Sequence, residues 1–142
     1  MIKLLLADDH EVVRKGLWLT IEAEEDMELL AEASNGRALL VLLANERADV
    51  VLLDVQMPEM DGLTAARHIA EQYPDTNVLI LTSFASDAQL HEAMKAGVTG
   101  YLLKDASGDA LVDAIRGAAK GVLPISTHFT APLEIPFTPT IL

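Results

Sequence analysis

The sequence predicts an α/β fold with a parallel sheet covered by helices on both faces. Three observations predict it. Short apolar runs recur along the chain at regular spacing. Segments with helical periodicity separate them. Carboxylates, hydroxyls and a lysine stand where the runs end. Near-continuous apolar runs suit strands buried on both sides. Strict alternation of strand and helix implies right-handed crossovers in a parallel sheet.

The elements follow in order. "IKLLLA" (2–7) reads as the first strand. After it, Val13, Leu17 and Ile21 share one helical face, with Val12, Gly16 and Leu19 beside it. Trp18 lies on the same helix among apolar neighbours, which implies partial packing. "MELLAEA" (27–33) is the second strand, and Leu39, Leu42 and Leu43 form the second helical face. "DVVLL" (49–53) precedes a helix with Leu63, Ala66, Ile69 and Ala70 on one side. "NVLIL" (77–81) precedes a face of Leu90, Ala93, Met94 and Gly97, with Asp87 in the first turn. "TGYLL" (99–103) leads to Leu111, Val112, Ile115, Ala118 and Ala119, with Ser107 as the cap. Five such units of this size predict a flavodoxin-like (βα)5 three-layer sandwich, strand order 2-1-3-4-5.

Composition bounds the rest. The chain has 142 residues, 51% hydrophobic and 23% charged, which fits one globular domain with a sizeable core. No apolar run approaches the roughly 20 residues of a membrane span, and the N-terminus carries no secretory pattern. Cysteine is absent, so disulfide and thiolate chemistry are excluded and a cytoplasmic location is expected. A net charge of −12 opposes binding of nucleic-acid phosphates by this chain. All ten Lys and Arg residues lie at or before Lys120. Residues 1–120 therefore read as one domain. Residues 121–142 contain Pro124, Pro132, Pro136 and Pro139, a spacing through which no helix can run. That segment is expected to be an extended tail or linker remnant, or a strap that docks on its own domain or a neighbour's.

In an open α/β sheet, ligands bind outside the carboxyl ends of the strands. Strand one ends in Asp8 and Asp9, strand three in Asp54, strand four in Thr82 and Ser83, and strand five in Lys104. The predicted order brings them to one edge. Three carboxylates cannot all ionise together cheaply, so one pKa rises or a cation binds. Mg²⁺ or Mn²⁺ prefers such oxygen ligands. His10 is adjacent, but an oxygen-rich site disfavours it as a ligand. A cation, Lys104 and Thr82 around one carboxylate suit an incoming phosphoryl group, with backbone N–H groups holding its oxygens. Asp54 would be the nucleophile, giving an acyl phosphate. His68, His91 and His128 show no partner pattern.

These residues lie in stretches that resemble a bacterial response-regulator receiver domain: "LLLADDHEVVRKGL" (4–17), "DVVLLDVQMPEMDGL" (49–63), "VLILTSF" (78–84) and "GVTGYLLKDAS" (97–107). The resemblance spans residues 2 to 120. It implies that Asp54 is the phosphoacceptor. It implies that Asp9 holds the metal directly, Asp8 partly through water, and Gln56 through its main-chain carbonyl. Thr82 matches the switch hydroxyl, Lys104 the phosphate-binding lysine, and Ser83 contributes its main chain. Tyr101 matches the aromatic that turns inward on phosphorylation. Pro58 and Gly62 match the turn after Asp54.

"DDHEVVRKGL", "GYLLKDAS" and "LVDAIRGAAKG" resemble the NarL/FixJ branch, whose members usually carry a LuxR-type helix-turn-helix output domain. The partners implied are a sensor histidine kinase and a second copy of the receiver on activation. DNA is reached only through an output domain, for which no segment follows Gly121. Such a domain is a signalling switch and not a turnover enzyme. A stand-alone receiver acting by protein–protein contact is the alternative. A haloacid-dehalogenase-type phosphatase would need a second aspartate two residues after Asp54, where Gln56 stands. Phosphate-binding glycine loops of the G-x-x-x-x-G-K-[ST] kind are absent.

Overall fold

A computed structural model describes residues 1–84 and 86–121. The expectations for the Pro-rich segment after Gly121 lie outside the described residues. Five strands alternate with five helices: β1 (Ile2–Ala7), α1 (Glu11–Glu22), β2 (Met27–Ala33), α2 (Gly36–Asn45), β3 (Val50–Asp54), α3 (Gly62–Gln72), β4 (Asn77–Thr82), α4 (Asp87–Lys95), β5 (Gly100–Leu103) and α5 (Gly108–Ala119). The strands form one parallel sheet in the predicted order β2-β1-β3-β4-β5. Among the described residues, no helix is long and apolar enough to cross a membrane.

Side chains alternate across the sheet, so each central strand feeds two cores. Leu5, Val51, Leu53, Val78 and Ile80 face one way and pack with Leu39, Leu43, Ala66, Ile69, Leu90 and Ala93 of α2, α3 and α4. Leu4, Leu6, Leu52, Leu79 and Leu81 face the other way, onto Ile21 of α1 and Leu111, Val112 and Ile115 of α5. This explains why the central runs are apolar throughout while β2, at the sheet edge, exposes Glu28 and Glu32. Ile80 is fully buried in β4. Ile80→Ala is expected to cost about 3 kcal/mol, because transfer and cavity effects add. A lower urea midpoint with an unchanged slope would show it.

Local chemistry fixes the helix starts. Asn35, Asp61, Ser86 and Ser107 each accept a bond from the N–H three residues on, at 2.8, 2.8, 3.1 and 3.1 Å. The Ser107 cap and the first-turn position of Asp87 are as the sequence predicts. Helix α4 ends earlier than predicted. Gly97 is not on its inner face but just beyond its end, at φ +87°. Its N–H bonds to the Met94 carbonyl and the Val98 N–H to that of Ala93. This paired closure needs a left-handed residue, which glycine supplies without steric penalty. Two further expectations are corrected. Val12 and Leu19 do not pack: they are 83% and 63% exposed, and only Val13, Leu17 and Ile21 turn inward from the apolar set of α1. Ala65, not Ala70, completes the inner face of α3. Trp18 is partly packed, as expected.

Candidate functional site

Strands β1, β3 and β4 and the residue after β5 deliver the site. β3 runs one residue further than predicted and ends on Asp54, opposite Leu81 of β4. β4 likewise ends on Thr82, opposite Leu103. The nucleophile candidate and the hydroxyl are thus held in the sheet ladder, not in loops. Asp8, Asp54 and Thr82 are the buried polar side chains among the described residues, with Asp8 only 1% exposed. Asp9 is more open to solvent.

Lys104 joins the carboxylates. Its Nζ lies 2.7 Å from Asp8 Oδ2 and 3.1 Å from Asp54 Oδ2. Its own N–H bonds to the Thr82 carbonyl at 2.8 Å, so β4 and β5 set the reach of the side chain. Burial raises the Asp54 carboxyl above its ordinary pKa, and the Asp8 charge pushes the same way; Lys104 opposes without reversing this. The Gln56 N–H also faces the Asp54 carboxylate. For Lys104, burial works against its charge, but the bond to Asp8 and the field of Asp54 outweigh burial and raise its pKa. The ammonium is therefore firmly charged beside a carboxylate that is more basic than usual. That combination favours attack on an anionic electrophile.

The loop after β3 is held by its backbone. The Gly62 N–H bonds to the Val55 carbonyl at 2.8 Å, and the Gly36 N–H reaches the Met60 carbonyl at 3.2 Å. A Cβ on Gly62 would overlap the Asp54 carbonyl oxygen, and one on Gly36 would press on Met60. Glu59 takes φ +67° at the tip. From α1, Arg14 Nη1 bonds to the Asp8 carbonyl at 2.6 Å, and its Nε reaches Glu32 at 3.1 Å. Sequence reasoning missed Arg14, since a helix arginine carries no local signal of a contact made by tertiary packing.

A cation fits this site. Asp8 Oδ2 is buried, and the Lys104 ammonium at 2.7 Å is the charge set against it. One ammonium set against the carboxylates of Asp8, Asp9 and Asp54 leaves the place net negative, which favours a bound cation. One ligand atom each from Asp8, Asp9, His10 and Asp54 lie within 4.8 Å of one another. The carboxylate donors suit a hard divalent ion.

The switch candidates sit on the far side. The Phe84 N–H approaches Thr82 Oγ1 at 3.3 Å. Tyr101 is 1% exposed, in the inward position that the resemblance assigns to the switched state. Its hydroxyl donates to Gln89 Oε1 and lies close to Thr82 and Ser86, and burial pushes its pKa up to about 12. Gln89 is the second residue the sequence reading missed. A signal was present: Ser86 and Gln89 have the S-x-x-Q spacing of a capping box. The Gln89 side chain, however, reaches Tyr101. Ser83 and Gln56 both lie at the mouth with exposed side chains.

A sheet of this order with an acid-lined carboxyl edge is the arrangement expected of a receiver-type signalling domain. The chain matches the response regulator receiver domain family over residues 4–116, and it belongs to that family. Its relatives place it in the NarL/LuxR branch. It is 42% identical over 120 residues to the transcriptional regulatory protein YxjL of Bacillus subtilis (strain 168), covering 84% of this chain and 55% of that protein. Identity to LiaR of the same organism is 41% over 121 residues, covering 85% and 57%. The chain thus spans little more than half the length of these relatives. Among solved structures, the NarL signal receiver domain from Mycobacterium tuberculosis superposes with a TM-score of 0.82 at 32% identity, over 84% of this chain and 97% of that one.

Proposed function

We propose that Asp54 is the phosphoacceptor of a two-component phosphorelay. The donor is a phosphohistidine on a sensor histidine kinase. An Asp54 carboxylate oxygen attacks phosphorus; the new O–P bond forms as the N–P bond breaks, and the histidine nitrogen leaves with its electron pair. The carboxylates of Asp8, Asp9 and Asp54 and the Gln56 main-chain carbonyl would hold Mg²⁺, with Mn²⁺ as a substitute. When bound, that ion offsets the charge of the transferred group. Lys104 pairs with the phosphoryl oxygens from the opposite side. Thr82 and the Ser83 main chain donate to them as well.

The reading rests above all on the Asp54–Lys104–Asp8 bridge at the sheet's carboxyl edge. A dianion on Asp54 draws Lys104 and the Thr82 hydroxyl toward it, which favours the inward position that Tyr101 already holds beside Thr82. The surface of α4, β5 and α5 then changes, in the manner of charge-driven switches. In this reading the receiver works in the cytoplasm. It pairs with a second copy on activation and controls a DNA-binding output domain supplied outside residues 1–121. The names of the relatives as transcriptional regulators support that output.

Incubation with Mg²⁺ and acetyl phosphate tests the chemistry. Intact mass is expected to show one phosphoryl adduct, dependent on Mg²⁺ and removed by hydroxylamine. A folded, Mg²⁺-bound protein that labels neither from acetyl phosphate nor from a partner kinase sinks the proposal. Thr82→Ala is expected to label to about the wild-type extent, since the hydroxyl is not the nucleophile. It should lose the phosphorylation-dependent change in amide exchange over α4 and β5.

A further inference from the structure

Arg14 lies in the first turns of α1, yet its guanidinium holds backbone at the end of β1. Nη1 donates to the Asp8 carbonyl at 2.6 Å, and Nε donates to Glu32 Oε1 of β2 at 3.1 Å. The side chain is only 19% exposed. The Asp8 carbonyl belongs to the planar peptide that joins Asp8 to Asp9, so its direction sets how Asp9 leaves the sheet. The other side of Asp8 is held as well: its N–H bonds to the Ala33 carbonyl at 3.1 Å. Leu6 pairs with Glu32 and Ala7 with Ala33 in the β1–β2 ladder, so both holds come from one stretch of β2. Within the turn, the His10 N–H bonds to Asp8 Oδ1 at 2.8 Å. The Asp9 side chain is more open, and its carboxylate meets the exposed His10 ring at 3.0 Å. Little packing aims it, so its backbone must.

We propose that Arg14 is a positioning residue for the metal-holding turn: it fixes the Asp8–Asp9 peptide so that both carboxylates face one cation. This rests on the reading of Asp8, Asp9 and Asp54 as the metal-holding set. Two donors at a fixed angle tie β2 to the turn. A guanidinium supplies them in one plane, whereas an ammonium is a point charge on a flexible stem. The sign of the effect separates positioning from simple charge. A cation beside three carboxylates opposes a second cation, so an Arg14 acting by charge alone would weaken Mg²⁺ binding, and its removal would tighten it. An Arg14 that holds the peptide does the reverse, because outer partners orient the groups that touch the ion. Mg²⁺ demands near-ideal geometry, so a loosened turn costs it affinity. Glu32 belongs to the same device: from the sheet edge it anchors the guanidinium that aims the turn.

Titration of the whole chain with MgCl₂, followed by amide NMR shifts at one fixed pH, tests this. Wild type, Arg14→Ala, Arg14→Lys, Glu32→Ala and Asp9→Asn would be compared. Arg14→Ala is expected to lose about 10–100-fold in Mg²⁺ affinity. Arg14→Lys keeps the charge and should still lose about tenfold. Glu32→Ala should weaken binding by a smaller factor, and its effect should vanish in the Arg14→Ala background, since the two side chains act as one unit. In chelator, amide exchange at Asp9 and His10 should quicken in Arg14→Ala, while exchange in β4 stays as in wild type. Where Arg14→Ala does not fold, Arg14→Lys and Glu32→Ala carry the test. Unchanged or tighter Mg²⁺ binding in the Arg14 variants, with binding still weakened by Asp9→Asn, would overturn the role of Arg14 alone. Full rescue by lysine would overturn the two-pronged hold. Absence of Mg²⁺ binding by wild type, or no effect of Asp9→Asn, would overturn the metal reading and the inference together.

Discussion

Asp54→Asn is expected to lose phosphoryl labelling, to below about 1% of wild type, in a protein that remains folded. The amide keeps the shape of the carboxylate but has no anionic oxygen to attack phosphorus. Stability should not fall. Burial and the Asp8 charge raise the folded-state pKa of Asp54. The sign follows from linkage: a carboxyl raised in the fold contributes most below its unfolded value, and that contribution is lost as pH rises through the folded value. At neutral pH the ionised Asp54 therefore strains the fold, and Asn removes the strain. Thermal melts in chelator at neutral pH are expected to place Asp54→Asn at or above wild type. Labelling of the Asn variant at the same position would remove Asp54 from its role. A variant that melts well below wild type would mean that the Lys104 bridge outweighs the repulsion.

Gly62→Ala should do more damage than its single methyl suggests. The added Cβ would overlap the Asp54 carbonyl oxygen and come within 2.9 Å of the Asp54 carbonyl carbon and Val55 Cα. All three are backbone atoms, so no side-chain rotation relieves the clash. The loop must move away from β3, and the 2.8 Å bond from the Gly62 N–H to Val55 goes with it. Destabilisation of about 3 kcal/mol is expected from overpacking and the broken bond. The initial rate of labelling should fall too, because Asp54 belongs to the displaced segment. Urea unfolding and timed mass spectra read the two effects. Gly16→Ala is the control: it has open space around it and sits in a helix, so it is expected to stabilise by about 0.5–1 kcal/mol. Equal behaviour of the two variants would refute the steric account.

Much of this was legible from residue order. The strand runs and their polar ends fixed the topology, because a buried strand has few alternatives to apolar side chains and a catalytic edge has few to polar ones. The placement of Asp8, Asp54, Thr82 and Lys104 followed from that logic. What was not legible depended on packing between distant segments. Val12 and Leu19 have the residue type of a core face but sit on the outer side of α1, since the register of a helix against its sheet is a tertiary choice. Gly97 looked like one more small helical residue, although its φ of +87° ends the helix. The partners of Arg14, and the hold of Gln89 on Tyr101, lie across the chain from one another.

The two glycine contacts around the β3–α3 loop have a wider consequence. Gly36 and Gly62 fix that loop through main-chain atoms at both ends, while the side chains of Gln56 and Glu59 project outward. Frame and fittings are therefore separable. Residues at the rim can be exchanged without moving Asp54, so in the proposed reading the lifetime of an acyl phosphate there would be free to change while the ability to form it stays. A library randomised at position 56 should yield proteins that charge alike and discharge on different clocks. One fold could in this way serve both a brief signal and a lasting one.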